Sequence, residues 1–151
     1  MPTQQEILQD LDRDEFDYDA LARKHGPAAL PALRAIVAAD HPRLAGRAAH
    51  LAALIDPTDA QDVVGLATRS PQPIVRVGAA GAVAKMAVPQ ASALAERLAV
   101  DHDSGVRFRT VKSAMVLGDR ALAMKLRTAV HQFGDGQLSA LAETALRLSR
   151  G

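Results

Sequence analysis

The sequence predicts an all-α fold in which helices pair and the pairs stack along the chain. Three observations carry this expectation. Ala is abundant, joined by Leu and Arg, in a composition 48% hydrophobic and only 3% aromatic, and such side chains lose little rotamer freedom in a helix. No run alternates apolar and polar residues with the period of two that marks a half-buried strand. Three segments repeat one another at a spacing of 31 residues.

The elements follow in order. Residues 3–25 carry Ile7, Leu8, Leu11 and Leu21 and are expected to cap the first pair. Within them "DLDRDEFDYD", residues 10–19, is the densest acidic run, expected as a solvated leader that Phe16 and Tyr18 pin to the body. "PAALPALRAIVAA" (27–39) and "PRLAGRAAHLAALI" (42–55) form the first pair, an outer helix and an inner one. "TDAQDVVGLATR" (58–69) and "PIVRVGAAGAVAKM" (73–86) form the second. "PQASALAERLAV" (89–100) and "SGVRFRTVKSAMVL" (104–117) form the third. "DRALAMKLRTAVHQF" (119–133) and "QLSALAETALRLS" (137–149) form the fourth. Pro42, Pro57, Pro71, Pro73 and Pro89 stand at or near helix starts, where a missing N–H costs little. Thr58 and Asp119 are suited to N-caps, and Gly26, Gly118 and Gly134 to helix stops.

The inner helices share one apolar stripe. Leu44, Val75 and Val106 align, as do Ala48, Ala79 and Thr110, then Ala52, Val83 and Ala114, then Ile55, Met86 and Leu117. Offsets of 0, 4, 8 and 11 lie on one helical face. The second inner helix is apolar almost all round, with Arg76 and Lys85 its only charges from Ile74 to Met86. A central helix of a stack is walled on three sides, and residues such as Ala79, Ala80, Gly81 and Ala84 permit close approach.

These units resemble the HEAT-like repeat family, in its short bacterial form typified by phycobilin-lyase repeats with the pattern D-x-x-x-x-V-R-x-x-A-x-x-A-L. Asp101, Val106 and Arg107 fit it best. Val75 and Arg76 also fit, with Ser70 replacing the aspartate; the first unit has Leu44 and Ala45 in the Val-Arg slots, and the last has lost the arginine. The resemblance covers roughly residues 27–150 and implies a right-handed α-solenoid of about four helix pairs with an N-terminal helical cap. On this basis residues 1–151 form a single HEAT-like domain: an acidic cap at 1–26 and repeats at 27–55, 56–86, 87–117 and 118–150. It also implies that Arg76 and Arg107 bridge carboxylates or carbonyls in the turns between repeats.

In a solenoid the concave face is lined by the inner helices. At 100° per residue, the positions opposite the core stripe are Gly46, His50 and Ala53, then Val77, Gly81 and Ala84, then Phe108, Lys112 and Met115, with Arg47 and Arg109 beside them. Arg47, His50, Val77, Gly81, Phe108, Arg109, Lys112 and Met115 are therefore the candidate partner-binding residues. The expected partner is another protein, offering an apolar segment with some acidic residues. The expected role is that of an adaptor, a scaffold or a complex subunit, not an enzyme.

Other classes find less support. The net charge is +1, divided into −4 over residues 1–40 and +5 over 41–151, so no global charge draws the chain to nucleic acid or acidic lipid. With no Cys there are no disulfides or thiolate sites, which fits a reducing compartment such as the cytoplasm. The first residues show no basic and apolar secretory signal, and no run is long enough to span a membrane. The five His form no i, i+4 pair, and "DPTDAQD" (56–62) lacks the central Gly and final Glu of a calcium loop, so no metal or cofactor is expected. A chromophore-handling or nucleic-acid-binding HEAT-like protein is the alternative; lyase or glycosylase activity comes with it, and a homodimer closing on the apolar strip is a further reading.

Overall fold

The structure is a computed structural model that describes residues 3–151. Among these residues ten α-helices form and no β-strand does. Helix α1 (Gln4–Leu11) begins at a reciprocal cap: Thr3 Oγ1 accepts from the Glu6 N–H, and the Glu6 carboxylate accepts from the Thr3 N–H. Helix α2 (Tyr18–His25) is capped by Asp17 and stopped by Gly26 at φ +66°. A 3₁₀ turn at Pro27–Ala29 leads into α3 (Leu30–Ala38). Helices α4 (Ala45–Ile55), α5 (Gln61–Thr68), α6 (Pro73–Val83) and α7 (Val88–Leu98) follow. Asp103 caps α8 (Ser104–Leu117), Gly118 stops it at φ +69°, and Asp119 caps α9 (Arg120–Val130). After a 3₁₀ turn at His131–Phe133 and Gly134 at φ +60°, Asp135 caps α10 (Gly136–Leu148).

The helices fall into two rows. In one, α2, α4, α6, α8 and α10 pack each against the next; in the other, α1, α3, α5, α7 and α9 do the same. The first row is the inner row of the expected pairs. One cluster of buried apolar side chains runs between the rows from Ile7 to Ala145. The aligned stripe is its spine. All its members are buried except Ile55 and Leu117, which are half-buried. Thr110 is tolerated there because its hydroxyl donates to the Val106 carbonyl at 2.7 Å. Helix α6 buries Val75 and the whole run Ala79–Val83. It packs on α4, α5, α7 and α8, which is why it carries so few polar groups.

Polar side chains tie successive units at their turns. Asp40, held at φ +56°, accepts from Ser70 Oγ at 2.6 Å and from Gln72 Nε2 at 3.0 Å. Arg76 forks onto Asp101 at 2.8 and 3.1 Å and donates to the Ser70 carbonyl. Arg107 donates to the Asp101 and His102 carbonyls and stacks 4.1 Å from the Phe133 ring centroid. Both arginines thus bridge turns, in line with the expectation drawn from the repeat resemblance. Deeper in, Ser113 Oγ donates to the Ala80 carbonyl at 2.6 Å and joins α8 to α6.

Three local expectations need correction. Thr58 caps nothing: Asp56 Oδ1 accepts from the Thr58 and Asp59 N–H groups, and α5 starts later, at Gln61. Helix α6 ends at Val83, because residues 84–86 close with tighter bonds to residues three back. The acidic run is not simply a solvated leader. Asp10 is buried, accepts from Lys24 Nζ at 2.8 Å and lies 2.7 Å from His25 Nε2. Residues 3–25 supply a helix to each row, with Ile7, Leu11 and Leu21 buried and Leu8 half-buried.

Candidate functional site: a glycine-floored groove on the inner row

The groove grows out of the repeat itself. Arg43, Gly46, Arg47 and His50 recur at offsets of 0, 3, 4 and 7; Ile74, Val77, Gly78 and Gly81 stand 31 residues later at the same offsets. That spacing keeps each set on one helix face. Together the two sets line a cavity of about 600 Å³, with Tyr18 of α2 at one end and Arg109 of α8 at the other. Its floor is backbone. A Cβ built on Gly78 would lie 2.5 Å from Gly46 Cα, and one on Gly46 would lie 3.2 Å from Gly78 Cα. Helices α4 and α6 therefore touch main chain to main chain, and no side chain fills the space above them.

The walls differ in what they offer. Ile74 is 64% exposed, a large apolar group left in water beside half-buried Val77. Arg47 is committed: its Nη1 donates to the Leu11 and Arg13 carbonyls at 2.6 and 2.8 Å, and its guanidinium lies 5.1 Å from the Phe16 ring centroid. Arg43 is paired with Asp12 and Asp14. Arg109 is different. Its guanidinium lies against Gly81, where a Cβ would come within 3.1 Å of Nε, and among the described residues it has no hydrogen-bond or ion-pair partner.

Electrostatics follow from this arrangement. His50 packs against Tyr18 with ring centroids 4.4 Å apart and ring planes tilted by 49°. Burial, reinforced by the cations Lys85 and Arg109 and only partly opposed by Asp19, pulls the imidazole pKa down to about 4. It is neutral at pH 7. Burial also raises the Tyr18 phenol, with Arg47 opposing. No carboxylate lines the groove, and among the described residues no three His, Asp or Glu side chains converge as metal ligands do. Chemically, the groove can hold an apolar or extended group and satisfy one negative charge.

Of the residues singled out from sequence, the fold brings Arg47, His50, Val77, Gly81 and Arg109 to this groove. Phe108 and Met115 are elsewhere, half-buried against the core, and Lys112 is exposed on α8 outside the groove. Ala53 is fully buried. The open face is turned by one position: on α8 it runs through Arg109, Lys112 and Val116, the last 68% exposed. Tyr18, Pro42, Arg43, Ile74 and Gly78 line the groove and were not singled out. Gly78 stands one repeat after Arg47, so extending the aligned column from that arginine would have found it.

No helix among the described residues is long and apolar enough to cross a membrane. No family model matches the chain, and no curated protein matches it either.

Proposed function

We propose that this chain is a short HEAT-like α-solenoid and a non-enzymatic protein-binding module, and that a partner's apolar segment bearing an acidic residue docks along the α4–α6 groove. The two continuous rows and the 31-residue recurrence support the solenoid. The observation that carries the binding role is the groove itself: a backbone floor at Gly46 and Gly78, an exposed Ile74 wall, and an unpaired Arg109 at its end. Such a floor lets a peptide backbone approach closely, the wall takes an apolar side chain, and Arg109 supplies a fork for a carboxylate. His50, neutral and without a carboxylate to orient it, lacks the surroundings of a general base.

Selection from a displayed random-peptide library tests this. Enriched peptides should combine apolar and acidic residues, and their affinity should fall about 10-fold or more for Arg109→Glu. Ile74→Glu should weaken them as well. No enrichment, or enriched peptides indifferent to both substitutions, would contradict the proposal.

A further inference from the structure

A second cleft, of about 410 Å³, opens on the other row between α3, α5 and α7. Its floor is Gly65, buried in α5, where an added Cβ would meet only Leu94 Cδ2 at 3.7 Å. Arg34 from α3, Arg69 at the end of α5 and Arg97 in the last turn of α7 all line it. Asp62 is the one carboxylate in the lining, and among the described residues none of the three arginines forms an ion pair. Three like charges on one small cleft repel one another, and the single carboxylate beside them, Asp62, forms no ion pair with any of the three.

One of the three is held in place. Arg97 Nη1 donates to Thr68 Oγ1 at 3.0 Å. Thr68 is only 5% exposed and gives its own hydroxyl proton to the Gly65 carbonyl at 2.6 Å. The Thr68 oxygen therefore presents a lone pair to Arg97 and fixes the direction from which that guanidinium enters the cleft. This spends ordering entropy before any ligand arrives.

From this arrangement we infer that the cleft binds a phosphoryl group. Three guanidinium forks lining one cleft suit a tetrahedral dianion with several acceptor oxygens better than a planar carboxylate, which one fork can satisfy. Gln61 adds an amide donor, and Asp62 adds an acceptor for a hydroxyl or amine carried by the rest of the ligand. The site is separate from the α4–α6 groove, and its failure would leave the peptide-docking role standing.

The test is isothermal titration calorimetry on the full chain with inorganic phosphate and with a phosphoserine peptide, ionic strength balanced with chloride. At least one probe should bind 1:1 with a dissociation constant of about 1 mM or tighter. Arg69→Gln/Arg97→Gln should weaken it about 10-fold or more. Arg69→Lys/Arg97→Lys, which keeps the charge but loses the fork, should weaken it several-fold. The stronger probe identifies whether the phosphoryl group arrives free or on a chain. Circular dichroism checks each variant, and Arg34→Gln replaces any that does not fold. Absence of heat with both probes, or affinity unchanged in the folded Gln variants, would overturn the inference.

Discussion

His50 and Asp101 each make the molecule sensitive to acid, and they act in different windows. The His50 pKa falls from 6.5 to about 4 on folding, so the unfolded chain binds its proton first. Its contribution is fully present above pH 6.5 and drains away as pH falls toward 4, of order 3 kcal/mol in all. Burial would raise the Asp101 pKa, but hydrogen bonds from Arg76 and the Asp103 N–H, with the charges of Arg76 and His102, hold it below the ordinary 3.8. Its contribution is present above that value and is lost as pH falls through the lowered one. Urea unfolding against pH should therefore show a first loss between pH 6.5 and 4 that His50→Gln abolishes, and a second below it that Asp101→Asn reduces. The side chains of Arg76 and Asp101 are only 16% and 12% exposed, so Arg76→Ala, which strands Asp101, should cost about 3 kcal/mol by urea denaturation at pH 7. The bridging roles of Arg76 and Arg107 were expected only through the resemblance to the repeat family, since the Asp101 that Arg76 holds stands 25 residues away in sequence. The burial of Asp10 was not, since its partners Lys24 and His25 stand 14 and 15 residues away in sequence and reach it only in the fold.

At the scale of the element, the glycines separate by what surrounds them. Gly78 sits where a methyl would strike the Gly46 backbone, which cannot move aside as a flexible side chain can. Gly78→Ala should destabilise by about 1–3 kcal/mol, and Gly46→Ala by less. Gly65 also lies within a helix but has ordinary van der Waals room, so Gly65→Ala should stabilise by about 0.5–1 kcal/mol through lost unfolded-state freedom. Thermal melts of the three variants check the order. Asp119, Gly26, Gly118 and Gly134 were legible as punctuation, because a cap or a left-handed stop depends on a few neighbouring residues. The end of α6 was not, since Pro57, outside the helix, accepts from the Ala87 N–H and helps set where the chain leaves it. Nor was the start of α5, where Asp56 closes a turn over residues 56–59 and the helix begins without a side-chain cap at Gln61.

For the whole molecule, periodicity carried the most information. The 31-residue recurrence foretold which helices pack side by side and which residues form the spine, because equivalent positions meet across equivalent neighbours. The candidate site was legible only in part. Counting 100° per residue from the core stripe placed the open face near Phe108 and Met115, whereas on α8 the exposed positions are Arg109, Lys112 and Val116, and the groove floor is set by the close approach of α4 and α6 at Gly46 and Gly78. That approach depends on two glycines in different columns, which column-by-column comparison does not pair. The most direct measurement is site-specific photocrosslinking in the native cell, with a benzophenone side chain at Ile74 in the groove and at Met124 on α9, positions 64% and 46% exposed. A groove that docks a partner predicts a discrete protein adduct from position 74, lost with Arg109→Glu, and none from position 124. Adducts from position 124 alone, or adducts from position 74 that persist with Arg109→Glu, would contradict it.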